Sequence, residues 1–214
     1  MHSIVIPTCG SYEKHLKVCI DSIFKNTIIE DKEFIIVANG SNKEIIHYVH
    51  SLPKNFELLW CGERMGVTKA FNAGCKAATS EFITLMNDDL VLLDQPMNEW
   101  IDRMLLPMAD EKVGMTGTIT KDASTGLEFV ISYCCTIRKK VFEEVGYFDE
   151  IFNPYYGEDV DLCLRAKKAG WKYGYADMNI YHPWESDLTQ SPERKAIIQE
   201  KINILKERYP NNGN

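Results

Sequence analysis

The chain has 214 residues, of which 45% are hydrophobic, enough to bury a sizeable core, so disorder is excluded. Its net charge is −7 with no Lys/Arg-rich block, which excludes the basic face that a nucleic-acid partner demands. No apolar run approaches the ~18 residues that span a bilayer, and the first residues run straight into a strand pattern without a signal peptide.

Ile4, Val5 and Ile6 form an apolar run stopped by Pro7 and predict a buried strand. Residues 12–26 carry Leu16, Cys19, Ile20, Ile23 and Phe24 on one helical face. Phe34 to Val37 is a second strand that ends in the turn signal Asn39-Gly40-Ser41. Residues 42–51 read as a helix, Phe56 to Trp60 as a strand, 67–78 as an Ala-rich helix and Phe82 to Met86 as a fourth strand. This β-α-β-α-β-α-β order predicts a parallel sheet with right-handed crossovers, in which ligands bind beyond the carboxyl ends of the strands.

The second half is mixed. Helices are predicted over 97–109, 138–145, 158–169 and 191–209, and strands over 113–119, 127–136, 173–176 and 179–182. Ser191 is the expected cap of the last helix and Pro192 its first residue. The seven cysteines contain no CxxC pair and lack zinc-ligand spacing, so reduced thiols in a cytoplasmic protein are expected.

Three segments carry chemistry. Asn87-Asp88-Asp89 ends an apolar strand, and adjacent carboxylates repel unless a cation sits between them. A solvated turn is the competing reading. Gly157-Glu158-Asp159-Val160-Asp161-Leu162-Cys163-Leu164-Arg165 places Glu158 and Asp159 in the first turn of a helix, where the dipole favours ionised carboxyls. Leu162, Ala166 and Ala169 are expected on the buried side, with Asp161 and Arg165 paired at i,i+4. That segment suits a general base, and equally an acidic cap with helix ion pairs. His182 follows a short strand and precedes Pro183-Trp184; an imidazole there suits either packing or a cation, and Trp184 either core or a sugar-stacking face.

In this order the motifs resemble those of GT-A fold glycosyltransferases of the family 2 type. The resemblance rests on Ile4-Val5-Ile6-Pro7-Thr8, Asn39-Gly40-Ser41, Gly66-Val67-Thr68-Lys69-Ala70-Phe71-Asn72-Ala73-Gly74, Asn87-Asp88-Asp89, Gly146-Tyr147-Phe148-Asp149-Glu150, Gly157 to Arg165 and His182, and it covers nearly the whole chain. The stretch from Gly157 to Arg165 is similar to that of bacterial-type rhamnosyltransferases. The chain also resembles the N-terminal domain of multidomain glycosyltransferases of large algal viruses, which implies a host cytoplasmic location.

The resemblance implies an α/β fold with a mostly parallel central sheet flanked by helices. It implies one domain over 1–214, with a nucleotide-binding half (1–90) and an acceptor-binding, catalytic half (91–214). It further implies a nucleotide-sugar donor of the UDP-glucose or UDP/dTDP-rhamnose type, a glycan acceptor and Mn²⁺ or Mg²⁺. Pro7, Thr8, Gly10, Asn39, Arg64, Gly66, Lys69, Asn87 and Asp88 would line the nucleotide site. Asp89 and His182 would hold the metal, Asp159 would be the catalytic base, and Glu158 and Trp184 would face acceptor or sugar. Asn87 stands where many members carry Asp, and Ala38-Asn39 where an Asp is frequent. Two other functions remain: a domain that binds carbohydrate or nucleotide sugar without catalysis, and a sugar nucleotidyltransferase. The second is disfavoured by the loop Pro7-Thr8-Cys9-Gly10-Ser11-Tyr12, which has one Gly and no Arg.

Overall fold

The computed structural model describes residues 2–10, 12–40, 43–183 and 191–210. Its first half is β1 (His2–Thr8), α1 (Leu16–Asn26), β2 (Lys32–Ala38), α2 (Lys43–His50), β3 (Phe56–Trp60), α3 (Val67–Ala77) and β4 (Phe82–Met86). There follow β5 (Val91–Leu92), α4 (Glu99–Leu105) with a 3-10 turn over Leu106–Ala109, β6 (Val113–Lys121), β7 (Glu128–Arg138) and α5 (Lys139–Val145). The remainder is α6 (Glu158–Lys168), β8 (Lys172–Tyr175), β9 (Ile180–Tyr181) and α7 (Pro192–Arg208).

Seven strands form one sheet in the order β3-β2-β1-β4-β7-β6-β8, and β5 pairs with β9 in a small second sheet. Strands β1 to β4 are mutually parallel; β7 runs antiparallel to both β4 and β6, and β8 runs parallel to β6. The α/β, mostly parallel architecture is as expected. Its antiparallel insertion brings the second half of the chain against β4.

Alternation along each strand splits the core into two layers. Val5, Ile35, Val37, Ile83 and Leu85 face one cluster with Phe71 of α3 and Leu162 of α6. Their neighbours Ile4, Ile6, Phe34, Ile36 and Met86 face the other, with Leu16 and Ile20 of α1 and Trp100 of α4. Helix α3 lies hard against the sheet because residue 74 is glycine: a Cβ there would stand 2.2 Å from Val5 Cγ1.

Three details depart from the sequence reading. Strand β5 was not anticipated; two residues are too few to show a period. The helix predicted over 97–109 tightens to a 3-10 turn around Pro107. Ala169 is exposed rather than buried, because α6 ends at Lys168 and the chain turns out through Gly170.

Candidate functional site

The carboxyl ends of β1, β2 and β4 surround a small chamber of ≈ 120 Å³ whose lining includes Pro7, Thr8, Asn39, Asn87, Asp88 and Asp89. Thr8, Cys9 and Asn39 also line an adjoining cleft of ≈ 520 Å³ walled by Gly40, Gly62, Glu63 and Arg64. Seven of the residues singled out in the sequence thus line two adjoining cavities at the position where parallel sheets bind ligands.

The loops around it are braced by polar side chains. Asn39 is buried; its Oδ1 accepts the Met65 N–H at 2.7 Å and its Nδ2 donates to the Gly66 carbonyl at 3.2 Å. Arg64 Nη2 donates to the Cys9 carbonyl at 3.2 Å, tying the loop after β3 to the loop after β1. Gly66 has a left-handed φ of 89°, and a Cβ there would stand 2.1 Å from Asn153 Oδ1, so only glycine fits. Lys69 is not among the cavity residues: it is half-exposed on α3 and faces Glu150 at 3.8 Å.

The acidic turn after β4 is anchored by the Asn87 N–H, which donates to the Tyr133 carbonyl at 2.8 Å. Asp88 points into the chamber, where burial pushes its carboxyl up to about 6; the Thr8 hydroxyl and the Asp89 charge act in opposite senses on it. Asp89 Oδ1 is buried without a hydrogen-bonded donor and lies 3.3 Å from His182 Nε2. Asn87 Nδ2 lies 3.4 Å from the same nitrogen.

A carboxylate oxygen and an imidazole nitrogen side by side are a donor set that suits Mn²⁺, and a buried carboxylate oxygen lacking a hydrogen bond is what a cation would satisfy. No cluster of three His, Cys, Asp or Glu occurs among the described residues, so the remaining positions would fall to the ligand and water. Asp89 and His182 therefore fit a divalent ion.

The second carboxylate pair opens α6. Asp159 Oδ1 accepts its neighbour Val160 N–H at 2.9 Å and Oδ2 accepts the Ser132 N–H at 3.3 Å. Glu158 is buried, and its Oε2 has no hydrogen-bond partner. Desolvation raises both carboxyls well above their ordinary range, and the Asp159 charge raises Glu158 further. Asp159, half-buried, keeps part of its surface open. Ahead of them Tyr156 adopts a left-handed φ of 81°, uncommon for a non-glycine residue, and its hydroxyl donates to Asp122 Oδ2 at 2.6 Å. That contact fastens the segment to the β6–β7 turn.

Asp161 belongs to a different network. It is fully buried and receives Arg165 Nε at 2.7 Å, Arg208 Nη1 at 2.7 Å and the Tyr209 hydroxyl at 2.8 Å. The expected pairing with Arg165 is present, while Arg208 and Tyr209 were not anticipated. Arg165 also caps the carbonyls of Val145 and Tyr147, so this network ties α5, α6 and α7 together.

Strand β7 joins the two acidic sites, which sequence reasoning missed. Between Val130 and Cys135 it advances five residues while β6 advances two, from Ile119 to Gly117. Residues 131–134 thus stand against Thr118 alone, three residues in excess, and β7 bulges from its ladder with β6. Within the bulge Ser132 bonds Asp159 and Tyr133 bonds Asn87, while the Tyr133 ring stacks on His182. Bulges commonly re-aim strands beside active sites. Trp184 lies outside the described residues. A separate cleft of ≈ 440 Å³ at the opposite end of the sheet involves Glu81 and Arg138, but these are paired with each other at 2.6 Å.

Known proteins share this fold. By structure the chain is similar to the mannosyltransferase PcManGT of Pyrobaculum calidifontis, solved with GDP-Man and Mn²⁺ (TM-score 0.73, 15% identity, 97% of this chain and 64% of that one). It is also similar to GalNAc-T7 solved with UDP, GalNAc and Mn²⁺ (TM-score 0.74, 13% identity, 98% of this chain and 49% of that one). These likenesses establish the GT-A fold. By sequence it is similar to the pre-mycofactocin glycosyltransferase of Mycobacterium tuberculosis, 23% identical over 78% of this chain and 38% of that protein. The Sinorhizobium fredii protein y4gI is 20% identical over 97% of this chain and 27% of its own length. The chain thus spans between about a quarter and two thirds of the length of these relatives. No described helix is long and apolar enough to cross a membrane. The model of "Glycosyl transferase family 2" matches residues 3–128, more than half of the sequence, and the chain belongs to that family.

Proposed function

We propose that the chain is a metal-dependent, inverting hexosyltransferase domain that moves glucose or rhamnose from a UDP or dTDP donor to a hydroxyl of a glycan acceptor. The observation that carries this reading is the bulge of β7, from which consecutive residues reach Asp159 on one side and the Asn87–Asp89 turn with His182 on the other. A base and a cation site fixed to one rigid strand beside a nucleotide-sized cavity are the parts that glycosyl transfer needs.

Asp89 and His182 would hold Mn²⁺, which when bound supplies the positive charge that a departing nucleoside diphosphate requires. The walls of the cavity would take the nucleoside, with Asn39 and Arg64 keeping its loops in place and Asp88 facing the ribose. A sugar hydroxyl is a weak nucleophile at neutral pH. Asp159 Oδ2 would accept its proton as the oxygen bonds to the anomeric carbon and the bond to the diphosphate breaks. The Ser132 and Val160 N–H groups hold the carboxylate in place for this. Glu158, buried and with its carboxyl raised, keeps a proton and so spares Asp159 a second adjacent charge. One displacement inverts the anomeric centre.

The test is release of nucleoside diphosphate from a panel of UDP-, dTDP- and GDP-sugars, with and without Mn²⁺, in the presence of simple glycosides as acceptors. Release should occur with a UDP or dTDP donor and only with the metal. Equal release without any divalent ion would reject the proposed mechanism, and release from GDP-sugars alone would reject the proposed donor.

A further inference from the structure

His182 directly follows strand β9. That strand is two residues long and, among the described residues, pairs with the equally short β5. The Asp89 and Asn87 contacts to its Nε2, at 3.3 and 3.4 Å, are long for hydrogen bonds and fix its orientation weakly. The Tyr133 ring supplies what these lack. It stacks on the imidazole with centroids 4.7 Å apart and planes within 12°. Its hydroxyl lies 2.9 Å from Thr118 Oγ1 of β6, so the phenol is fastened at both ends.

An imidazole's nitrogen lone pair lies in the ring plane. A stack that sets the plane therefore sets the direction in which Nε2 can meet a cation. The backbone of the same residue accepts the Asn87 N–H at 2.8 Å and so positions the turn that bears Asp89.

We propose that Tyr133 is a positioning residue for the metal pair: its carbonyl places the acidic turn, its ring orients His182, and the β7 bulge brings the two together. The proposal rests on the reading of Asp89 and His182 as Mn²⁺ ligands. It predicts that the planar ring matters more than the hydroxyl, and that the ring acts on Mn²⁺ affinity through His182, since the backbone carbonyl survives substitution.

The experiment titrates Mn²⁺ into the protein with UDP and follows free Mn²⁺ by electron paramagnetic resonance. Tyr133→Phe should bind within about threefold of wild type, while Tyr133→Leu should lose ~10-fold or more, the range for residues that orient metal ligands. In a His182→Ala background Tyr133→Leu should add no further loss, because residues acting through one contact are non-additive. Should Tyr133→Leu fail to fold, Tyr133→Met fills the space without a plane and carries the same expectation. Wild-type affinity in the folded Leu or Met variant, or a loss that adds in full to that of His182→Ala, would overturn the role of Tyr133 while leaving the metal site standing. Absence of Mn²⁺ binding in the wild type, or no effect of His182→Ala alone, would overturn the metal reading and the proposal with it.

Discussion

Two pairs of adjacent carboxylates, Asp88-Asp89 and Glu158-Asp159, look alike in the sequence and sit in unlike surroundings. The first pair ends a strand of the parallel half and has an imidazole 3.3 Å from Asp89. The second opens a helix of the mixed half, with backbone N–H donors on Asp159 and a buried, unpartnered oxygen on Glu158. On the proposed reading, a pair with a nitrogen donor beside it suits a cation. On the same reading, a pair with only neutral donors, one carboxyl buried and the other half-buried, suits proton exchange. Asp161, three residues into α6, shows a third outcome: with two guanidinium groups and a phenol on it, a carboxylate becomes a tie between helices.

The comparison breaks most sharply at Asp159. Asp159→Asn keeps shape and hydrogen bonds but accepts no proton, so turnover should fall ~10²–10⁴-fold. Calorimetry should find UDP and Mn²⁺ affinity unchanged. Asp89→Ala should do the reverse at the binding step, weakening UDP by about 10²-fold in the presence of Mn²⁺, or ~2.8 kcal/mol, and removing the difference between titrations with and without the ion. An unchanged metal-dependent affinity would show the two pairs to be less distinct than their surroundings imply.

Asp161→Ala should leave nucleotide affinity intact and cost ~3 kcal/mol of stability, because Arg165 and Arg208 lose their shared partner. For a domain of this size that lowers the melting temperature by roughly 6–12 °C, readable by differential scanning calorimetry.

The smallest effect belongs to Glu158. Glu158→Gln should lower turnover less than about tenfold, since a neutral amide resembles the protonated acid. Its signature is in stability against pH. Burial raises the folded-state value of Glu158 above its unfolded one. Its favourable contribution is therefore complete in acid and lost as pH rises through the folded value. Glutamine has no proton to lose, so the melting temperature of the variant should gain on wild type from about pH 5 to about pH 8. A constant difference would mean that Glu158 is not held protonated.

The parallel half was legible because each strand is an apolar run closed by turn residues, as at Ile4-Val5-Ile6-Pro7 and Phe34 to Asn39, and each crossover helix has one apolar face. The cavity residues lie at the strand ends, where parallel sheets place ligands, and were named by the family resemblance. What stayed hidden is non-local. The bulge of β7 exists only relative to β6, and a register mismatch leaves no mark on a single strand. Ser132 acts through its backbone N–H, which no side chain advertises. Tyr133 meets His182 across 49 residues, and Arg208 meets Asp161 across 47. Asp161 with Arg165 was visible as an i,i+4 pair, but its burial depends on α7 packing over α6. Lys69 shows the opposite case: a motif position on α3 whose side chain lies outside the cavity lining and faces Glu150.

The proposed division of labour between the two carboxylate pairs has one direct chemical consequence. If Asp159 takes the acceptor proton during a single displacement, the new glycosidic bond has the anomeric configuration opposite to that of the donor. The anomeric proton coupling of the product, read by NMR from a reaction with a donor of known configuration, measures this. Inversion is the predicted result; retention would require an enzyme-linked or same-face path and would contradict the role given to Asp159.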